Sequence, residues 1–239
     1  MTKHLLLSDQ AINGDMSQRV VVAVNAMEWQ ASPSGTVWRK RVHLVGGVES
    51  GQVTSVVRYR PNATYPVHDH PDGEEIFVLQ GTFSDEHGDW QAGTYLLNPE
   101  GFRHAPFSQD GCVLLVKLRQ YAGVGRRHVA ACIDDMDWQV TAHTGIRTKV
   151  LYADPAFPDE TQLEHWAAGT APGTWVSSGG VEIFVLSGSF EDEHGVYGEH
   201  TWLRIPAGGK QTPTSSQGCE LYVKTGALAG LRSTPATET

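Results

Sequence analysis

The sequence predicts an all-β protein made of two copies of one small double-sheet barrel. Three observations lead to this expectation. A segment that begins at residue 73 recurs 107 residues later. Each copy consists of short apolar runs with period-two alternation, which is typical of strands. The 26 glycines and 12 prolines in 239 residues supply the tight turns that join short strands.

The composition favours a folded protein that does not bind nucleic acid. Hydrophobic residues make up 40% of the chain and charged residues 19%, so a packed core is expected. The formal net charge of −9 disfavours binding through phosphate neutralisation. A basic run, Arg39 to Arg41, lies within a strand-like pattern, and we interpret it as a solvated strand face.

The cysteine count and the N-terminal segment predict a cytoplasmic protein that does not associate with membranes. Cys112, Cys132 and Cys219 are odd in number and match no zinc or CxxC spacing, so a disulfide framework is not expected. The N-terminal segment MTKHLLLSDQ has three consecutive leucines, too few for a signal peptide or a membrane span.

The internal repeat divides the chain into two domains. The stretch GEEIFVLQGTFSDEHGDW from Gly73 matches GVEIFVLSGSFEDEHGVY from Gly180. The offset of 107 persists to Val116-Lys117 and Val223-Lys224. We therefore expect an N-terminal domain at residues 1–122 and a C-terminal domain at 123–239, joined in the glycine-containing stretch near residues 121–127.

Each repeat is interpreted as a set of strands. Glu74, Ile76 and Val78 alternate with Glu75, Phe77 and Leu79, and a run that is apolar on both faces predicts a buried strand. The DEHG stretches predict hairpin turns. The segment 159–168 has helical propensity, but it aligns with the strand-like segment 54–60. Propensity is the weaker signal, so a strand is expected.

Four residues of the first repeat have the chemistry and spacing of metal ligands. His68 and His70 are two apart, so they share a face in a strand. The turn-forming residues 71–73 are expected to bring Glu74 beside them, and a second turn at Pro99 and Gly101 to present His104. Three imidazoles and a carboxylate suit a divalent transition metal such as Zn, Fe, Mn or Ni, one per chain.

These residues resemble the two motifs of the cupin superfamily. The first motif (HxH, a short spacer, E, six residues, G) is matched by His68, His70, Glu74 and Gly81. In the second motif (G, five residues, PxG, two residues, H), Gly93, Pro99, Gly101 and His104 match in full. The resemblance implies two tandem double-stranded β-helix, or jelly-roll, barrels. Because cupins commonly dimerise, the resemblance also implies a homodimer.

The segment GEEIFVLQGTFSDEHGDWQAGTYLLNPEGFRHAP resembles the cupin domain of ChrR-type anti-sigma factors. That resemblance implies a three-His, one-Glu site, for which zinc is known in the family. Those proteins also carry a helical zinc-binding domain that grips the sigma factor, and this sequence has no His/Cys cluster before its first strand. Sigma-factor binding is therefore not expected.

The second repeat keeps the scaffold and loses every candidate ligand. The offset places Trp175, Ser177, Val181 and Gln211 at the positions of the four ligands. These residues do not make a transition-metal site. We expect Trp175 and Val181 to fill the former cavity, because close-packed interiors tolerate few voids.

Outside the ligand set, Tyr65, Phe77 and Arg103 are the candidates for contacts with a small-molecule ligand. His87 and His194 recur in both repeats, which favours a role in turn structure. Cys112 and Cys219 recur in the same way, as small buried residues do.

A storage-like or structural bicupin is disfavoured because the ligand set is intact in the first repeat, and two other functions remain open. One is a metal-dependent enzyme of the dioxygenase type that acts on a small chelating substrate, an expectation based on analogy with other cupins. The alternative is a non-catalytic zinc-binding sensor or regulatory module related to ChrR-type anti-sigma factors.

Overall fold

The computed structural model describes residues 11–234, and the segment MTKHLLLSDQ lies outside them. The first half of the described chain contains twelve strands, and their bounds are β1 (Val20–Ala23), β2 (Gln30–Ala31), β3 (Val37–Val45), β4 (Gln52–Tyr59), β5 (Ala63–Thr64), β6 (His68–Asp69), β7 (Glu74–Asp85), β8 (Gly88–Gln91), β9 (Thr94–Asn98), β10 (Arg103–His104), β11 (Phe107–Ser108) and β12 (Cys112–Leu118). The second half contains ten, and their bounds are β13 (Val129–Cys132), β14 (Gln139–Val140), β15 (Ile146–Ala153), β16 (Glu160–Trp166), β17 (Trp175–Ser177), β18 (Val181–Asp192), β19 (Gly195–Gly198), β20 (Thr201–Ile205), β21 (Gly209–Gln211) and β22 (Cys219–Thr225).

The architecture is the predicted pair of β barrels. The main sheet of the first barrel has the strand order β13-β9-β7-β12-β4-β3-β2, and that of the second has the order β1-β20-β18-β22-β16-β15-β14. Smaller pairs, β6 with β10 and β17 with β21, lie at equivalent places in the two barrels. The described residues contain three short 3-10 helices and no α-helix, and no helix among them is long or apolar enough to cross a bilayer.

The two barrels exchange their first strands. β1 precedes the first barrel in sequence, yet it pairs with β20, with Val20 opposite Arg204. β13 precedes the second barrel, yet it pairs with β9, with Val129 opposite Leu97. Each main sheet is therefore completed by a strand from the other half of the chain.

The core is divided into three apolar clusters. One lies inside each barrel, and the third lies between them. In the central cluster, the rings of Phe77 and Tyr222 have centroids 5.5 Å apart. Each barrel also sends a buried lysine to a buried glutamate of the other: Lys117 donates to Glu182, and Lys224 donates to Glu75. The contact between the barrels is thus buried and contains both apolar packing and ion pairs.

Several local predictions are confirmed. The segment with helical propensity forms β16. The two DEHG stretches are the turns of the β7–β8 and β18–β19 hairpins. All three cysteines are free, and Cys112 and Cys219 are buried among apolar side chains.

The prediction that the basic run is a solvated face is wrong. Arg39 to Arg41 lies on a strand, β3, but Lys40 is 7% exposed and Arg41 is 8% exposed. Both faces of the strand are covered. One face points into the closed barrel, and the other is turned toward the second half of the chain. Lys40 donates to the carbonyl oxygen of Val24 at 2.9 Å and lies 4.7 Å from the centre of the Trp29 ring.

Candidate metal centre

The four candidate ligands meet at one end of the first barrel. His68 on β6 lies directly opposite His104 on β10. His70 follows β6, and Glu74 is the first residue of β7. The chain between them turns sharply, because Asp72 and Gly73 both adopt positive φ values, 56° and 71°. The tight turn predicted for residues 71–73 therefore places Glu74 beside the histidines.

The ligand atoms of the three histidines converge. One nitrogen from each ring lies within 4.8 Å of the others. Nε2 of His70 is 2.9 Å from Nε2 of His104. Oε2 of Glu74 lies 3.3 Å from the first of these nitrogens and 3.6 Å from the second. Such a set of imidazole and carboxylate donors around one point suits a divalent transition metal.

Neighbouring groups fix the orientation of the ligands. Nδ1 of His68 lies 2.9 Å from the carbonyl oxygen of Pro66. Nδ1 of His104 lies 3.0 Å from Oδ2 of Asp85, which leaves its Nε2 directed at the cluster. The amide of Asn98 donates to Oε2 of Glu74 at 2.9 Å. Partners of this kind select the tautomer and the rotamer of metal ligands in known metal sites.

The first carboxylates of the DEHG turn have a structural role that the sequence did not reveal. Oδ1 of Asp85 accepts the backbone N–H of His87 at 2.8 Å, which confirms the turn role expected for that histidine. Oε2 of Glu86 accepts the N–H of Ala105, the residue after His104. The turn thus holds the ligand-bearing loop in place. The FxDExG signature was the signal that could have identified Asp85.

Burial and charge act differently on the two innermost histidines. Burial lowers the pKa of His70, and the positive charge of Arg119 acts in the same direction. Burial also acts to lower the pKa of His104, but the hydrogen bond to Asp85 and the negative charge of Glu74 outweigh it, so this pKa is raised. The two neighbouring imidazoles thus have pKa values shifted in opposite directions.

The candidate ligands line a cavity of about 170 Å³ inside the barrel. The apolar cluster of the first barrel forms much of its wall, and residues 74 and 76 of β7 both face it. The aromatic ring of Tyr65 lines the cavity, and its centre lies 5.0 Å from that of His68. Three arginines that sequence reasoning missed also line it: Arg39, Arg41 and Arg119.

The structure does not bring the other two predicted contact residues to the cavity. Phe77 lies on the opposite face of β7, in the apolar cluster between the barrels. Side chains alternate between the two faces of a strand, so Phe77, three residues after Glu74, points away from the cavity. Arg103 is 64% exposed and lies 3.7 Å from Asp69 on the outside of the β6–β10 pair, because it alternates with the inward-facing His104.

The second barrel repeats the geometry without the ligands. Trp175 lies opposite Gln211, in the register that joins His68 to His104. Trp175 packs edge-on against Trp166 at 5.3 Å, and Val181 is buried in the barrel core. Both contacts agree with the prediction that these two residues fill the former cavity. Gln211 is 1% exposed, and neither atom of its amide has a hydrogen-bond partner among residues 11–234.

Two jelly-roll barrels in one chain, with a ligand cluster at the cupin positions of the first, define a bicupin. The chain belongs to the family of ChrR cupin-like domains. The sequence model of that family matches residues 17–122 and, a second time, residues 126–229. No curated protein is similar enough to this chain to be counted as a relative.

Solved structures of similar fold include metalloproteins and dioxygenases. A candidate dioxygenase from Nostoc punctiforme has a TM-score of 0.71 at 15% identity, over 92% of this chain and 88% of its own. The bacterial pirin YhhW from Escherichia coli, solved with nickel(II), has a TM-score of 0.64 at 13% identity, over 87% and 98%. Salicylate 1,2-dioxygenase from Pseudoaminobacter salicylatoxidans, solved with gentisate, has a TM-score of 0.64 at 10% identity, over 94% and 84%. At these identities the likeness shows the fold alone.

Proposed function

We propose that the first barrel binds one divalent transition metal through His68, His70, Glu74 and His104. The observation that carries this proposal is the convergence of three imidazole nitrogens and one carboxylate oxygen at the end of a cavity. The donor set fits such a metal because three of the four groups are imidazoles, and His68 and His104 each have an orienting partner at Nδ1. Zinc, iron, manganese and nickel all accept these ligands.

We further propose that the chain is a metal-dependent enzyme of the dioxygenase type, acting on a small chelating substrate in this cavity. A metal with four protein ligands and open positions would supply a Lewis-acid or redox centre. The residues of the chain would position the substrate, with Tyr65 beside His68. Support comes from the fold shared with salicylate 1,2-dioxygenase and with a candidate dioxygenase.

The alternative is a non-catalytic zinc module of regulatory function. The family match to ChrR cupin-like domains favours it. In this case the metal would stabilise the barrel, and a signal molecule would reach it through the same cavity. A cytoplasmic location and a homodimer stay predictions under either function.

Metal analysis tests the proposal first. The full chain, prepared without a histidine tag and without oxygen, is analysed by plasma mass spectrometry beside the variants His70→Ala, His104→Ala and Gln211→Ala. We expect about one metal per chain in the unmodified protein and in Gln211→Ala, and loss of most metal in the histidine variants. Full metal content in both histidine variants would overturn the assignment.

The identity of the metal and oxygen uptake then separate the two functions. Iron, manganese or nickel, together with oxygen uptake on adding acetylacetone or a phenolic ketone, would support the enzyme. Zinc without turnover of these probes would support the regulatory module.

A further inference from the structure

Three arginines share the cavity with the candidate ligands, in a chain with a net charge of −9. Arg39 and Arg41 are two apart on β3, so both project to the inner face of the barrel. Arg119 follows β12 and reaches the cavity from the next strand but one. Burying a guanidinium group without a partner is costly, so the groups that pair with these arginines indicate what the site can bind.

Two of these arginines already hold a carboxylate. Nη1 of Arg39 donates to both carboxylate oxygens of Glu49, at 2.7 and 2.8 Å. Nη2 of Arg41 donates to Oε1 of the same residue at 3.2 Å. Glu49 itself is 48% exposed, whereas Arg41 is 8% exposed. The carboxylate therefore enters from the solvent side of a site built by the arginines.

The third arginine has no such partner and adopts an unfavourable backbone conformation. Arg119 has φ at 60°, in the left-handed region that residues with a side chain rarely adopt. Its side chain makes no hydrogen bond or ion pair within residues 11–234. The corresponding residue of the second barrel is Gly226, which adopts the same conformation at φ 72°. The first barrel thus maintains a strained arginine where its copy has glycine.

The second barrel serves as an internal control for the whole cluster. Arg39 lies opposite Val57, and the equivalent pair in the second barrel is Thr148 and Glu164. In the same way, Val150 occupies the place of Arg41. All three arginines are absent from the barrel that lacks the candidate ligands, although that barrel folds in the same way. The fold therefore does not require them.

We propose that Arg39, Arg41 and Arg119 form an anion subsite that binds the carboxylate of a small organic acid beside the metal centre. Glu49 occupies the subsite until the acid displaces it. Displacement is feasible because Glu49 is 48% exposed and reaches the arginines from the solvent side. The assignment of the acid as substrate rests on the proposed function, but the subsite itself does not require a metal.

The size of the cavity limits the acid to a small molecule. A cavity of roughly 150 Å³ holds one benzene ring, and this one measures about 170 Å³. Benzoate and benzamide are suitable probes, because they have nearly the same shape and differ in charge.

Calorimetric titration of the full chain with each probe, with and without added metal, tests the subsite. We expect the unmodified protein to prefer benzoate over benzamide by about tenfold or more, as a charge-assisted hydrogen bond provides. Arg119→Gln and Arg39→Gln should reduce that preference to about threefold or less. Arg60→Gln, which alters an exposed arginine over the Trp38 ring outside the cavity, should retain it.

A variant that strengthens binding guards against effects of misfolding. Glu49→Gln removes the competing charge and should bind benzoate up to about fivefold more tightly. Weaker binding of benzoate by Glu49→Gln, in a protein that unfolds at an unchanged temperature, would overturn the role of Glu49.

The subsite would be overturned if the unmodified protein bound both probes equally. It would also be overturned if the preference vanished on metal removal and survived in Arg119→Gln, since the metal alone would then hold the anion. Metal content measured on the same samples keeps the two proposals apart. A protein that takes up no added metal and still prefers benzoate would contradict the proposed metal centre and support the subsite.

Discussion

Oδ2 of Asp85 lies 3.0 Å from Nδ1 of His104, whereas the equivalent aspartate of the second barrel, Asp192, binds Arg19 and Tyr197 instead. The repeat has therefore kept the carboxylate and changed its partner. In the first barrel the carboxylate accepts a hydrogen bond from Nδ1–H, which leaves Nε2 free to bind a metal. In the second it anchors a side chain from the N-terminal segment.

Asp85→Asn should lower metal affinity by about 10- to 100-fold, because an amide that donates to Nδ1 stabilises the wrong tautomer of His104. Competition with a chromogenic chelator would measure the zinc dissociation constant. Asp192→Asn is the matched control and should bind zinc as the unmodified protein does. Equal loss in both variants would show that the aspartate acts only through the stability of the hairpin.

The ion pair between Lys224 and Glu75 should be important for stability. Lys224 Nζ lies 3.1 Å from Glu75 and 3.2 Å from Asp159, and all three side chains are buried. Lys224→Met leaves two buried carboxylates without this cation and should lower the free energy of unfolding by about 3–5 kcal/mol in urea titrations. Lys210→Met, at an exposed position, should change it by less than about 0.5 kcal/mol. A loss below about 1 kcal/mol for Lys224→Met would show that water reaches the cluster.

The glycines of the two cupin motifs should differ in their tolerance of substitution. A Cβ at Gly81 would lie 2.2 Å from the carbonyl oxygen of Gly111, whereas a Cβ at Gly101 would meet nothing within 4 Å. Both residues have positive φ. Gly101→Ala should therefore lose about 1 kcal/mol through its backbone conformation alone, and Gly81→Ala more than about 3 kcal/mol. Thermal unfolding of the two variants compares them, and equal losses would contradict the steric argument.

His43 should make the protein sensitive to acid. Burial lowers its pKa to about 4. Its Nδ1 lies 3.2 Å from the Asn13 carbonyl oxygen, and its Nε2 lies 3.0 Å from the amide nitrogen of Gln52, a pattern that suits the neutral ring. The unfolded chain takes up this proton near pH 6.5, so the free energy of unfolding should fall by about 3 kcal/mol as the pH drops from 6.5 to 4.

The His43→Gln variant should lack this part of the pH dependence, when urea unfolding is compared between pH 7 and pH 4. His194→Gln, an exposed histidine in a turn, should show the same decrease as the unmodified protein. The same decrease in His43→Gln would assign the acid sensitivity to other groups.

The sequence was sufficient to predict the barrels and the ligand cluster, because the repeat and the turn residues are local signals. The register of His68 opposite His104 follows from two turns whose residue types determine their geometry. The arginines were missed for a physical reason. Alternation within β3 identifies a strand with two faces, but it does not show that both faces become covered when the sheet closes.

Long-range partners were the other part that the sequence did not predict. Nothing near Val20 or Val129 indicates that each of these strands pairs with the opposite half of the chain. Asp85 was assigned to a turn because its second partner, His104, approaches it only in the folded barrel.

The exchange of β1 and β13 gives the second barrel a structural role that does not depend on metal ligands. A dimer of identical single barrels that trade their N-terminal arms acquires this connectivity when a linker fuses its two chains. In such a fusion the site residues of one half can change, provided that its first strand still pairs with the other half. Here that strand is β13, which pairs with the strand that ends in Asn98, the partner of Glu74. The second half thus takes the place of a second subunit. A chain cut at the linker should fold and bind metal only when both fragments are present.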